Sequence, residues 1–254
     1  MSVPLTVLVA ALNEEQQLPA ALASVEGWPA ELVVVVDPRT GDRTREVAAS
    51  HGARVLEHAF ESSGAQSNWG MAQCRTDWVL VLDADERVTP ALRAAIAAAI
   101  AAPSHAAFRV RRDNFAFGRR LRFGDWGHDE IVRLLDRRQA RFDEKAVHGA
   151  VTAPSVGRLR GTLEHETLRS VAQYLPKVHD YALRGARDLV AAGGAASVPG
   201  AVLHALWRFV RSYVVRLGAL DGSAGLVAAG LAAYGTFLKR VVAWEASTPG
   251  RPRS

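Results

Sequence analysis

The chain has 254 residues, is 49% hydrophobic and 22% charged, and carries a single cysteine, Cys74. That excludes a disordered polymer and a disulfide-stapled mini-domain, and it fits one large domain or a domain with an appendage in a reducing compartment. A net charge of +5 points to an anionic partner: a nucleotide, a nucleic acid or a membrane surface. The opening residues, MSVPLTVLVAALNEE, lack a basic leader and reach carboxylates quickly, so no signal peptide is expected.

Leu5 to Leu12 is an apolar run broken only by Thr6 and closed by Asn13, Glu14 and Glu15, which predicts a strand and then a polar loop. Leu18, Ala21, Leu22 and Val25 have helical spacing. Leu32 to Val36 predicts a second buried strand ending at Asp37, followed by the turn PRTGD. Asp42 is a suitable N-cap for a helix reaching about Ser50. Ala53 to Leu56 predicts a third strand, Glu61 to Asn68 a polar loop, and Trp69 to Cys74 a helix. Trp78 to Leu82 predicts a fourth strand, and Asp83, Asp85 and Glu86 follow it with only Ala84 between them. Thr89 then caps an alanine-rich helix with Pro90 at its first position, and Pro103 stops it.

Strands and helices therefore alternate over the first hundred residues, and carboxylates close three strands: Glu14/Glu15, Asp37 and Asp83/Asp85. On one edge of a parallel sheet these would make a polar, metal-ready crevice, because open α/β sheets bind ligands at the carboxyl ends of their strands. Two aspartates at i and i+2 can hold a divalent cation, and the cation can grip a diphosphate. Neither common glycine-rich phosphate cradle occurs in the chain.

The segments VLVAALNEE, VVVVDPRTGDRT and WVLVLDADER, in this order, resemble the opening motifs of family 2 glycosyltransferases with the GT-A fold. GAQSNWGMAQ, residues 64–73, resembles a segment of the branch that includes lipopolysaccharide-core glucosyltransferases. The resemblance implies a Rossmann-like, mostly parallel sheet flanked by helices, with a nucleotide-diphosphate sugar as donor and Mg or Mn as cofactor. It implies that Asp37 meets the base or ribose, that Asp83 approaches the ribose or the metal, and that Asp85 binds the metal. Ala11, Asn13, Glu14, Glu15, Gln66, Asn68 and Ala84 fall in the matching motifs as nucleotide-sugar contacts. A late histidine completes the metal site in some enzymes of this fold, which makes His165 a candidate third ligand.

Between Arg109 and Arg141 there are 10 Arg against 5 Asp or Glu, interleaved with Phe115, Phe117, Phe123 and Trp126. Such a belt suits an anionic acceptor or lipid headgroups, and also single-stranded nucleic acid. No helix-turn-helix or RNP motif supports the nucleic-acid reading, and no nucleic acid is expected as partner. Trp126-Gly127-His128-Asp129 resembles the family's W-x-x-D segment. An inverting transferase needs a base for the acceptor hydroxyl; Asp129 is the candidate, with Glu130 and Asp125 as rivals. Trp126, His128, Glu130 and His148 are acceptor-side candidates. Gly149 stands where related sequences carry a glutamate after Val-His, so Asp129 acts alone or Glu144 compensates.

A helix is predicted from Ser170 to Ala192 and another from Ala201 to Leu217, with His204, Arg208 and Arg211 on one side and Leu203, Leu206, Trp207, Val210 and Val214 on the other. Gly222 to Leu238 has no charge and is followed by Lys239 and Arg240. The pair suits a membrane interface; a homodimer contact or a helical cap is the other outcome. The expected organisation is a catalytic domain over 1–165, a helical, membrane-associated extension over 166–248 and a frayed tail over 249–254. The expected activity is transfer of a sugar to a glycan or glycolipid acceptor at the cytoplasmic membrane face, in lipopolysaccharide or other cell-envelope synthesis. Transfer to a polyprenyl phosphate is the alternative.

Overall fold

The structure, a computed structural model, describes residues 2–144, 150–194 and 196–247. It divides into two compact units, one of residues 1–112 and 130–165, the other of residues 113–129 and 166–254. The elements in chain order are β1 (Val3–Ala11), α1 (Leu18–Ala23), β2 (Pro29–Val36), α2 (Thr44–Ser50), β3 (Arg54–Glu57), α3 (Ser63–Gln73), β4 (Trp78–Asp83), β5 (Glu86–Val88) and α4 (Pro90–Ala101). There follow β6 (Ala107–Ala116), β7 (Arg119–Arg120), β8 (Asp129–Asp136), β9 (Arg141–Phe142), β10 (Val151–Thr152) and β11 (Val156–Leu168). The last are α5 (Val171–Ala191), α6 (Val198–Val210), a π-helical turn (Arg211–Val215), a 3-10 turn (Gly218–Asp221) and α7 (Gly222–Ser247).

Among the described residues nine strands form one sheet, in the order β3-β2-β1-β4-β8-β6-β11-β5 with β7 on β6. The pairs β2/β3, β1/β2 and β1/β4 are parallel, whereas β4/β8, β5/β11 and β6/β7 are antiparallel. The sheet is therefore mixed. Its parallel half comes from the strands joined by helical crossovers α1, α2 and α3, as parallel pairing requires. Of the later strands only β5 and β6 are joined by a helix, α4; among the described residues the others follow one another without helices, and antiparallel pairs form among them.

The parallel strands are buried on both faces. Leu5, Val7 and Val9 of β1, Val34 and Val36 of β2, and Leu80 and Leu82 of β4 enter one core cluster. Their neighbours Leu8, Val33, Val35, Val79 and Val81 enter a second. This is the alternation of a pleated strand, and it explains why these segments read as unbroken apolar runs. Each fully buried Leu or Val contributes about 1.5–3 kcal/mol through the surface it removes from water. Cys74 is buried too, and burial pushes its thiol up to about 11, so it is an inert thiol.

Several boundaries differ from those read in the sequence. The helix read as Trp69 to Cys74 starts at Ser63, because the Ser62 hydroxyl accepts from Ala65 N at 3.1 Å. Its polar first turn hid the periodicity, and Gly64 is required there because a side chain would meet the Asp143 backbone. The N-cap of α2 is Arg43, although Asp42 still accepts from Thr44 N at 3.0 Å. Phe108 to Val110 reads as a strand in the sequence, and in the structure that strand extends from Ala107 to Ala116. α6 starts at Val198, where Ser197 caps Gly200 N, and passes into the π-helical turn at Arg211.

In the second unit α7 packs against α5 and α6. Small residues allow the close approach: a side chain at Gly235 would come within 3.2 Å of Val178 on α5, and one at Gly185 would meet the Lys239 stem. Ala116, Leu121, Leu168 and Ala224 form a small core here. By length and composition alone, residues 218–247 could cross a membrane.

Candidate active site

β1, β2 and β4 are parallel neighbours, so their acidic ends share one edge of the sheet. In register, Ala10 of β1 lies opposite Asp83 of β4, and Ala11 lies opposite Val36 of β2. Asp37 N donates to the Ala11 carbonyl at 3.0 Å, which carries the β1/β2 ladder to the edge.

The loop after β1 is fastened to the loop before α2. Asn13 takes a positive φ of 54° and its side-chain oxygen accepts from Gly41 N at 2.9 Å. Glu14 N donates to Thr44 Oγ1 at 2.8 Å, and Glu15 N donates to Asp42 Oδ2 at 3.0 Å. The Glu15 carboxylate accepts from Arg43 N at 3.1 Å. Asp37 is buried and accepts from Arg39 Nε at 2.9 Å, Arg39 Nη2 at 2.8 Å and Phe60 N at 2.9 Å. The Arg39 guanidinium, helped by the backbone donors Arg39 N, at 2.8 Å, and Phe60 N, holds this carboxyl well below the usual carboxylate range.

The turn between β4 and β5 carries the acidic cluster. Glu86 is fully buried: its Oε2 accepts from Asp83 N at 3.0 Å, and its Oε1 accepts from Arg133 at 2.7 Å and Arg112 at 3.2 Å. Arg133 also binds the Asp83 carboxylate. Burial pushes the Glu86 carboxyl upward, against the pull of Arg133. Burial alone would lower Arg133, but Asp83 and Glu86 hold it above its ordinary value. Glu86 thus serves as the internal counter-ion of two arginines beneath the turn, and Asp83, half exposed, presents the remaining carboxylate.

The antiparallel β5/β11 pairing sets His165 opposite Glu86. It brings His165 Nε2 to 3.5 Å from Asp85 Oδ1, with both side chains only 13% exposed. Among the described residues no three His, Cys, Asp or Glu side chains converge as a metal cage. The Asp85–His165 pair nonetheless fits a divalent cation of the kind that takes one or two protein ligands and completes its shell with water and substrate phosphate. Asp83, predicted beside them as a ligand, is engaged with Arg133.

Other predicted contacts have protein partners. Gln66 is buried and pairs with His58 Nδ1 at 2.8 Å. Asn68 clamps β9: its amide donates to the Phe142 carbonyl and accepts from Phe142 N, both at 2.9 Å, and also donates to Glu144. Glu130 pairs with Arg158. His148 and Gly149 lie outside the described residues.

In the second unit Asn114 is the hub. Its Nδ2 donates to the Trp126 carbonyl at 2.7 Å and to Asp129 Oδ2 at 3.2 Å, and its Oδ1 accepts from Thr167 at 2.8 Å. Trp126 packs edge-on against Tyr174, and His128 is exposed. Asp125, the other rival base, is nearly buried among Arg208, Arg211 and Arg216 at 2.9, 3.1 and 2.6 Å.

Sequence reasoning missed Arg112, Arg133 and Asn114. Arg133 offered a signal: an arginine within the apolar segment EIVRLLD is costly to bury and implies a carboxylate partner. Asn114 gave none, since its role follows from the turn that returns Trp126 and Asp129 to it.

Over its length the chain is 25% identical to a protein of Rickettsia typhi described as an uncharacterized glycosyltransferase, an alignment covering 94% of this chain and 86% of the relative. It is 28% identical to the lipopolysaccharide core biosynthesis glycosyltransferase LpsC of Rhizobium meliloti, over 75% of this chain and 73% of that one. Among solved structures it is similar to glucosyl-3-phosphoglycerate synthase from Mycobacterium tuberculosis. The complex with phosphoglyceric acid gives a TM-score of 0.51 at 17% identity, over 77% of this chain and 82% of that one. The complex with Mn2+, uridine diphosphate and phosphoglyceric acid gives 0.50 at 15% identity, over 77% and 80%. The fold is GT-A-like, with a helical carboxyl-terminal part. Residues 6–160 match the description of glycosyl transferase family 2, and with more than half of its length inside that match the chain belongs to this family.

Proposed function

We propose that the protein is a metal-dependent, inverting glycosyltransferase that moves a sugar from a nucleotide-diphosphate donor to a hydroxyl of a lipid-linked or cell-envelope glycan. The observation that carries this reading is the convergence of acidic strand ends on one sheet edge, with Asp85 and His165 paired beside them. The solved relative's complex with Mn2+ and uridine diphosphate supports a nucleotide-sugar donor and a divalent metal here.

In this reading Asp37 and the loop Ala11, Asn13, Glu14 and Glu15 form the nucleoside side. Asp83 and Ala84 form the sugar-phosphate side, and Gln66 and Asn68 hold the neighbouring wall. Asp85 and His165, with Asp83 as a further ligand, would hold Mg or Mn, which supplies neutralisation of the leaving diphosphate. Asp129, oriented by Asn114, takes the proton of the acceptor hydroxyl. The acceptor oxygen bonds to the anomeric carbon from the opposite face, and the bond to the diphosphate breaks with its electron pair leaving on the diphosphate. Trp126, His128, Glu130 and His148 stand on the acceptor side. The protein acts as a peripheral enzyme at the cytoplasmic membrane face.

A panel of nucleotide sugars tested with manganese should raise the melting temperature for at least one donor, and Asp85→Ala should remove that response. No shift with any donor or nucleoside diphosphate contradicts the reading. One observation favours a second acceptor: the second unit holds 14 Arg and Lys against 8 Asp and Glu, which suits a polyprenyl phosphate. Such an acceptor is already an anion and needs no base, so Asp129→Asn would then keep its activity.

A further inference from the structure

Among the described residues the most exposed large apolar side chains gather on α6 and the two turns after it. Leu203, Leu206 and Trp207 are 66%, 58% and 59% exposed, and Val214, Leu217 and Leu220 continue the face. The positions 203, 206, 207 and 214 follow one side of a helix, the opposite side holds buried Ala201, and the part-exposed arginines on Asp125 flank the apolar side. α7, the segment apolar enough to span a bilayer, is packed along α5 and α6, and among its large apolar residues only Leu226 and Tyr234 are exposed.

We infer that the α6 face, rather than α7, is the membrane-binding element, lying in the plane of a bilayer that carries anionic phospholipid. Two observations choose a lipid surface over a second copy of the chain. One is composition: Leu, Val and Trp on one side with arginines beside them match a helix that buries its apolar face at the headgroup boundary. The other is charge. Arg208, Arg211 and Arg216 share the single carboxylate of Asp125, and each side chain is 35–40% exposed. Even with Asp221, which lines the same cavity as Asp125, three arginines meet two carboxylates, so positive charge is in excess beside the apolar face. A symmetric contact between copies would bring like charges together, whereas phosphate headgroups neutralise them. After α6 come the π-helical turn at Arg211–Val215 and the left-handed Leu217 (φ 60°), and Val214, Val215, Leu217 and Leu220 there are exposed.

This inference deepens the membrane-side reading above, and its test needs neither donor nor acceptor. The full chain is sedimented with vesicles of neutral phospholipid and with vesicles of equal parts neutral and anionic phospholipid. Binding to the mixed vesicles is expected, with little to the neutral ones, and the double variant Leu203→Glu/Leu206→Glu should bind about tenfold less. Its melting temperature and donor-induced shift should match those of the parent chain. No binding to mixed vesicles, or equal binding by the variant, overturns the inference. So does a dimer in solution that the same variant dissociates, since that assigns the face to a second copy. A failed donor response with intact vesicle binding would strike the transferase reading alone.

Discussion

The two units of this chain divide its chemistry sharply. The first holds 17 Arg and Lys against 18 Asp and Glu; the second holds 14 against 8. The whole excess of positive charge, +5, is thus owed to the second unit. Hydrophobic exposure follows the same line. Among the described residues 17 large apolar side chains are exposed, and only Leu12 belongs to the first unit. In the proposed reading, buried strands with acids at their ends would hold a phosphorylated small molecule and its cation. In the same reading, a helical unit with arginines beside exposed Leu, Val and Trp would serve an extended anionic partner. The family match, residues 6–160, covers nearly all of the first unit and, of the second, only residues 113–129.

Substitutions in one unit should leave the chemistry of the other intact. Asp85→Ala should act only on the first unit's chemistry, lowering the transfer rate by about a thousandfold with little effect on vesicle binding. Equal activity of the variant would remove the metal reading. Glu86→Ala removes the counter-ion of two arginines that have little access to water, and should cost about 3 kcal/mol in denaturant unfolding. A loss below about 0.5 kcal/mol would show that Asp83 alone suffices for both. Asn114→Ala should slow transfer about tenfold through misplacement of Asp129, while donor affinity stays constant; an unchanged rate would remove Asn114's positioning role.

A smaller effect tests linkage in the first unit. Arg138, then Gln139 and a backbone donor, hold Asp136 down to about 2, against an ordinary value of 3.8. A depressed carboxyl stabilises the fold above its unfolded value and loses that contribution as pH falls towards its folded value. Asp136→Asn should therefore cost about 1 kcal/mol at neutral pH, reduced because Arg138 is largely exposed, and the gap to the parent should close between about pH 4 and pH 2. A gap independent of pH would assign the loss to packing. Smallest of all, Leu206→Ala should leave stability within about 0.5 kcal/mol, whereas the same change at buried Leu80 should cost about 3 kcal/mol.

The legible part of this fold is the part ruled by local patterns. Strands buried on both faces, such as Val33 to Val36 and Val79 to Leu82, announce themselves as β-branched and leucine runs, and their acids mark the strand ends. The α3 start was hidden because a serine cap and a glycine-bearing first turn resemble a loop. β8 and β11 were missed because charged residues break their apolar pattern, and only pairing across the sheet makes sense of them. The same pairing brings His165 to Asp85, which residue type could suggest and register had to supply. Arg112, Arg133 and Asn114 act through partners distant in sequence, so no spacing rule points to them.

The most direct measurement is a donor-hydrolysis screen with manganese and several nucleotide sugars, run on the parent chain, on Asp85→Ala and on Leu203→Glu/Leu206→Glu. The account predicts that at least one nucleotide sugar is hydrolysed by the parent and by the α6 variant, and that Asp85→Ala abolishes it. Hydrolysis that ignores Asp85, or no hydrolysis of any donor, would contradict it.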